Sequence, residues 1–182
     1  MRRPSLIPGR TGPPSGPSGL QGSPILASAT VLAFILNEEG RYDEAENLHR
    51  ETLDVQRRVL GPEHRGTLES MRNLANDFAG EGRYSEAEKL QRETMNVDRR
   101  VLGPEHPLAR LSTYNISCIL ARKGNRDEAF QLLREAVDHG LAPTFDLVVE
   151  KDPLLQALHG DPRFATLVAD AKERAAASRM PK

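Results

Sequence analysis

Apolar positions in the middle of the chain recur with the spacing of two consecutive amphipathic helices. The first stripe, which we assign to a helix A, is formed by Leu68, Met71, Leu74, Ala75 and Phe78. The second stripe, assigned to a helix B, is formed by Tyr84, Ala87, Leu90, Thr94, Val97 and Val101. Gly103 and Pro104 are expected to end helix B, because glycine adopts the left-handed conformation beyond a helix end and proline cannot continue the ladder. The pattern therefore predicts a helix hairpin.

This hairpin is one copy of an internal repeat. The eight residues RRVLGPEH stand at Arg57–His64 and again, 42 positions later, at Arg99–His106. Extended backwards, residues 40–64 and 82–106 are identical at 19 of 25 positions. A looser third copy retains Gly124, Glu128, Ala129, Leu132, Arg134 and Glu135. Because neither helix can bury its stripe alone, we expect the pairs to stack on one another.

The copies predict an all-α array followed by a C-terminal cap. Three helix pairs are expected, at about residues 24–62, 64–104 and 106–140. Residues 141–178 are expected to form short capping helices, and residues 179–182 a tail. Asp152 and Asp161 each precede a proline, which places a capping carboxylate before a proline at the first helical position.

The N-terminal flank has a different composition. Residues 1–23 are rich in Pro, Gly and Ser, and we predict a disordered arm. The apolar run Ile25–Leu36 that follows is 12 residues long, whereas a helix that spans a bilayer needs about 20. The run also lies one repeat before the helix A described above. We therefore predict a repeat helix at residues 24–38, and no membrane span.

The residues that carry the repeat resemble a known family. One set of residues in the repeat resembles the signature of small and large residues that defines the tetratricopeptide repeat. The set is Leu74, Ala75, Phe78, Gly82, Tyr84 and Ala87. The VLGPEH loop, together with NLA at Asn73–Ala75 and GRYSEAEKL at Gly82–Leu90, resembles the 42-residue variety found in kinesin light chains. The resemblance implies a right-handed α-solenoid of three antiparallel helix pairs. It also implies a concave groove, lined by the A helices, that binds a protein or peptide ligand.

Carried over residue by residue, the resemblance places groove-facing positions on each A helix. In the second pair these are Glu69, Arg72, Asn73 and Asn76, in the third Leu111, Tyr114, Asn115 and Cys118, and in the first Ala27, Thr30, Val31 and Phe34. Asn73 and Asn115 are equivalent, and an amide that donates and accepts can hold the backbone of an extended ligand. Arg72 could add a carboxylate contact. The alternative is that these are solvated helix residues.

Charge and motifs narrow the class of function. The chain has 25 basic and 26 acidic residues, so its net field favours neither nucleic acid nor an anionic membrane. The single cysteine excludes an intramolecular disulfide framework and fits a reducing compartment, and we predict a cytoplasmic location. The sequence contains no phosphate loop, HExxH motif or dinucleotide fingerprint. We predict a non-enzymatic scaffold without cofactor or metal.

Two side-chain types could suggest chemistry. His64 and His106 each follow a glutamate, but they lie in equivalent loops of adjacent pairs, and packed helices stand about 8–10 Å apart. One ion could not easily be shared across that distance, so we interpret both histidines as caps of helix ends. A reactive cysteine needs a base or a cation beside it. The sequence places neither beside Cys118, which we interpret as a packing residue.

A second hypothesis rests on the first helix. Helix 24–38 is apolar nearly all round, whereas a terminal repeat normally has a polar outer face. In the family that the chain resembles, such repeats are often joined to kinase or nucleotide-hydrolase modules. The alternative function is therefore a regulatory or self-association segment of a larger signalling protein, with this helix as the docking surface.

Overall fold

The structure, a computed structural model, describes residues 24–139 and 149–178. Its α-helices are α1 (Pro24–Glu38), α2 (Tyr42–Val59), α3 (Arg65–Gly80), α4 (Tyr84–Leu102), α5 (Pro107–Lys123), α6 (Arg126–Asp138) and α7 (Pro162–Ser178). Two 3₁₀ helices, Val149–Lys151 and Pro153–Leu158, precede α7, and we call residues 149–158 the C-terminal segment. The predicted arm at 1–23 and tail at 179–182 lie outside the described residues.

The chain divides into two compact units, residues 1–94 and 95–182, and the division falls inside α4. In the first unit α1 packs on α2, and α2 packs on α3. In the second unit α5 packs on α6 and on the C-terminal segment, and α6 packs on α7. All regular elements in the described ranges are helical, and the predicted all-α fold class is confirmed.

Fully buried alanines mark the positions where neighbouring helices approach closely. They are Ala33 and Ala75 on A helices, and Ala45, Ala87 and Ala129 on B helices, all 0% exposed. Within each set, successive positions are separated by one repeat. A methyl group fills this space, and a larger side chain would push the helices apart.

Glycines with positive φ follow the ends of helices, and Gly103 does so where the sequence predicts a helix end. Gly82 follows α3 with φ of 82°, and Gly103 follows α4 with φ of 86°. Other residues rarely adopt this left-handed conformation without strain. The repeated glycines therefore fix where each helix stops.

A buried polar cluster joins the three helices α1, α2 and α3. Asp77 accepts a 2.5 Å hydrogen bond from Asn37 Nδ2, and its other carboxylate oxygen pairs with His49 Nδ1. His49 and Asp77 are 2% and 1% exposed. In the next copy of the repeat, Gln91 and Ile119 occupy the positions equivalent to these two residues. The cluster is therefore specific to the first unit, and the periodic pattern did not reveal it.

One part of the predicted helix B stripe is wrong. Val101 was expected to complete the buried face of α4, but it is 47% exposed, and Val59 at the same place on α2 is 69% exposed. The buried face ends at Asp98 on α4 and at Gln56 on α2. The last turn of each B helix, which carries the valine, therefore lies outside the packed region. The valines of RRVLGPEH do not contribute to the core.

We expect Ala87→Arg to destabilise the protein by about 3–5 kcal/mol, because it places an unpaired charge where only a methyl group fits. Ser85→Arg, on an exposed position of the same helix, is the matched control and should change stability by less than about 0.5 kcal/mol. Urea unfolding followed by circular dichroism measures both. Equal stability of the two variants would contradict the close packing of α4.

Candidate protein-binding site

In the first unit, the predicted groove positions form a polar strip on α3 and an apolar strip on α1. Glu69, Asn73 and Asn76 are half-buried, and their spacing of four and three residues places them on one side of α3. Val31 and Phe34 on α1 are also half-buried and are equivalent to Asn73 and Asn76. We call these five residues the first-unit strip.

The strip contains a hydrogen-bond acceptor without a donor, the side-chain oxygen of Asn76. Its Oδ1 atom is shielded from water and accepts no hydrogen bond from the described residues. An amide oxygen left in this state costs about 1–3 kcal/mol. Because the atom is shielded, a backbone N–H of a bound chain could reach it only if the Asn76 side chain turned outward. Arg72, on the same helix, is only 7% exposed, so its charge is largely removed from solvent.

In the second unit the equivalent positions on α5 are covered. Tyr114, Asn115 and Cys118 are 1% exposed or less, and Leu111 is half-buried. The C-terminal segment packs on α5, and the Tyr114 hydroxyl donates a hydrogen bond to the Asp152 carboxylate. The structure therefore brings these residues together with a part of the chain that sequence reasoning assigned only to a cap.

Asp152 holds the C-terminal segment in two ways. Its Oδ1 accepts a 2.9 Å hydrogen bond from Leu154 N at the start of the second 3₁₀ helix, which confirms its predicted capping role. Burial raises the pKa of the Asp152 carboxyl, and the Tyr114 hydrogen bond only partly opposes this. Burial also raises the pKa of the Cys118 thiol, which supports the interpretation of this cysteine as a packing residue.

Apolar burial contributes most to the attachment of this segment. Val149, Leu154, Leu155 and Leu158 are all 1% exposed or less. Burying each of them stabilises the fold by about 1.5–3 kcal/mol, or on the order of 10 kcal/mol for the four.

The two duplicated histidines are helix caps, as interpreted from the sequence. His64 Nδ1 accepts a 3.1 Å hydrogen bond from Gly66 N at the start of α3. His106 Nδ1 accepts a 3.2 Å hydrogen bond from Leu108 N at the start of α5. Within the described ranges, no group of three or more His, Cys, Asp or Glu side chains is placed to hold a metal ion.

A cavity of about 380 Å³ lies between α6 and α7. Its two guanidinium groups already pair with carboxylates. Arg163 contacts Asp127 at 2.9 Å and Asp161 at 2.7 Å, and Arg134 contacts Asp170. The arginine charges lining this cavity are therefore compensated by carboxylates within the protein. The cavity is for this reason a weaker candidate for a ligand-binding site than the first-unit strip.

Comparison with known proteins identifies the family. A family model described as tetratricopeptide repeat matches residues 25–99 and 73–139, which together span more than half of the chain. The chain belongs to the tetratricopeptide repeat family. Repeats of this family generally mediate protein–protein interaction, and proteins built from them are generally non-enzymatic scaffolds. No curated protein matches the sequence.

Solved structures of the kinesin-light-chain type share the fold. BtubC (BKLC) from P. vanneervenii is 17% identical with a TM-score of 0.69, over 87% of this chain and 66% of that one. This chain thus spans slightly less than two thirds of BtubC. A kinesin light chain of Podosopora anserina with nearly identical TPR-like repeats is 22% identical with a TM-score of 0.66, over 86% of this chain and 77% of that one. At these identities the likeness shows the fold, an all-α solenoid of tetratricopeptide type.

Among the described residues, no helix is both long enough and apolar enough to cross a membrane.

We expect Asp152→Asn to change the pH dependence of stability. Because the folded-state pKa of Asp152 is raised, the contribution of the wild-type carboxyl is full below its unfolded pKa, near 3.9, and is lost as pH rises through the folded pKa. The unfolding free energy of the wild type minus that of Asp152→Asn should therefore be larger at pH 4 than at pH 7. Urea titrations at both pH values measure it, and a difference that grows with pH would contradict the burial of this carboxyl.

Proposed function

We propose that this protein is a non-enzymatic scaffold that binds an extended peptide or partner segment along the groove faces of the A helices α1 and α3. The observation that carries the proposal is the half-exposed pair of asparagines on α3, Asn73 and Asn76. The balanced charge favours a protein ligand over nucleic acid or membrane. Neither a cofactor nor a metal is part of the proposed function.

The chemistry of the strip suits a peptide backbone. The amide of Asn73 can donate to a ligand carbonyl and accept from a ligand N–H, which recognises any sequence equally. The Asn76 amide on the same side of α3 is the second candidate for a backbone contact. Val31 and Phe34 offer an apolar contact that would favour an apolar ligand side chain at that end. Arg72 remains a candidate for a carboxylate contact, although most of its surface is buried.

The proposal is tested by asparagine replacement. Peptides selected from a random display library on the wild-type protein are measured by fluorescence polarisation against Asn73→Ala with Asn76→Ala. Loss of two hydrogen bonds at about 0.5–1.5 kcal/mol each should weaken binding roughly 5- to 150-fold. Asn47→Ala with Asn96→Ala is the matched control, since both asparagines are exposed on B helices.

Two results would count against this proposal. One is equal affinity of the wild type and the α3 double variant. The other is a library that yields no binder. A control variant that loses affinity as much as the α3 variant would show that the effect is not local to the strip.

The exposed side of α1 favours a second candidate function. Leu32 and Ile35 are 50% and 46% exposed, although their equivalents on α3, Leu74 and Asp77, are buried where α2 packs. The α1 positions thus match a face that elsewhere in the repeat is covered by a helix. We propose that this face docks on a second copy of the chain. The cytoplasmic location and the fusion to a larger signalling protein remain predictions.

Self-association is tested by adding charge to this face. Leu32→Asp with Ile35→Asp should raise the dimer dissociation constant at least about tenfold, because each buried apolar contact is worth over about 1 kcal/mol. Sedimentation equilibrium over a concentration series measures it. Val59→Asp is the matched control, since this valine is exposed on α2. A strictly monomeric wild type would exclude the second function.

A further inference from the structure

The exposed side of α1 carries a seam without charge. Ser28, Leu32 and Ile35 are exposed and follow one another by four and three residues, which places them on one side of the helix. Leu32 and Ile35 are 50% and 46% exposed. No charged residue stands between Pro24 and Asn37. We call Ser28, Leu32 and Ile35 the α1 seam.

The spacing of the α1 seam is the one by which two helices pack along their length. Side chains that recur after four and three residues interdigitate with those of a second helix at a crossing angle of about 20° and a distance of about 8–10 Å. The small side chain of Ser28 permits such an approach at one end of the seam. The α1 seam therefore fits a helix whose contacting face is also uncharged and apolar.

Within the described ranges, the other large apolar side chains that are exposed do not form such a face. They are Val59, Val101 and Leu102. Each of the two valines directly follows a pair of arginines in a copy of RRVLGPEH. Packing the α1 seam there would remove arginines from water without offering them a carboxylate. The α1 seam of a second copy is a matching face, and a contact between identical patches closes into a two-fold dimer.

We infer that two copies of the chain dock through their α1 seams as an antiparallel pair of helices. This rests on the self-association put forward as the second candidate function, and it names both contacting surfaces. The direction follows from charge, because Glu38 and Glu39 stand at the C-terminal end of α1. A parallel pair would bring these like charges together. An antiparallel pair places them beside the start of the partner helix, where the helix dipole is positive.

The antiparallel direction also decides where the first-unit strips face. The two-fold axis of an antiparallel pair is perpendicular to the plane of the two helices, so it keeps the same side of both helices on one side of the dimer. The axis of a parallel pair runs along the helices and turns the second copy of that side away. Val31 and Phe34 belong to the first-unit strip and stand beside seam residues in the sequence. The antiparallel dimer thus presents both strips to one side, where a partner with two binding segments gains avidity.

Disulfide cross-linking in the full chain tests the direction of the pair. The substitutions Ser28→Cys and Ile35→Cys place thiols about 10.5 Å apart along α1, whereas the Cα atoms that a disulfide joins lie about 4.4–6.8 Å apart. In an antiparallel pair centred on the seam, position 28 of one copy lies opposite position 35 of the other. The two variants, one of them carrying a mass tag, are mixed, mildly oxidised and resolved by non-reducing electrophoresis. The mixed disulfide should form at least about tenfold faster than the disulfide of either variant alone.

Two controls set the background of this experiment. Val59→Cys places a thiol at a position of α2 that is 69% exposed and measures random collision. Cys118, which is 1% exposed, is present in every sample, and the unsubstituted chain shows its contribution. Either variant alone cross-linking as fast as the mixture would show a parallel pair. A mixture no faster than Val59→Cys would show that the seams do not meet, and each of these two results overturns the inference.

Sedimentation of Leu32→Asp with Ile35→Asp separates the inference from the function on which it rests. If this variant is monomeric while the cysteine mixture gives no mixed disulfide, α1 docks on a second copy in another way, and only the inference fails. If the wild type is itself monomeric, the second candidate function fails together with the inference. Peptide binding concerns the first-unit strip, so failure of the peptide selection would leave the cross-linking result unchanged.

Discussion

The close approach of helices at alanine positions is the constraint on which the rest of the structure depends. Ala33, Ala45, Ala75, Ala87 and Ala129 expose no surface, and each lies where a larger residue would separate two helices. Because the A positions and the B positions each recur once per repeat, the same kind of close contact is made again along the chain. The larger apolar residues contribute most of the free energy of burial. The alanines determine how closely the helices approach, and therefore whether those larger residues can be buried between them.

Once this spacing is set, positions that are equivalent in sequence can still differ in role. Asp77 is buried with His49 and Asn37 in the first unit. The equivalent residue of the next copy, Ile119, is apolar and cannot make these polar contacts. A buried carboxylate is tolerated only where donors meet it. The first unit therefore has a polar link among three helices that packing alone would not require. This link joins α3, the helix that carries the half-exposed asparagines, to α1 and α2.

Equivalent asparagines on two A helices also differ in exposure. Asn73 is half-exposed on α3, while Asn115 at the equivalent position on α5 is 1% exposed. Neither helix alone shows the difference, whereas in the structure both α6 and a segment much further along the chain pack on α5. A groove deduced from family positions would have three parts. The structure covers the third of them with the protein's own residues.

The sequence by itself determined the periodic features of this protein. The spacing of the repeat, the glycines that end helices, the alanines of close approach and the Asp152 and His64 caps are all local or repeated, so they can be recognised without knowing what is nearby in space. Only the tertiary structure decided which of those positions are covered. The exposed valines at the ends of α2 and α4, the Asn37–Asp77–His49 cluster and the closure of the α5 face depend on contacts between distant residues. Such contacts leave no periodic signal, because burial is a property of the neighbours and not of the residue itself.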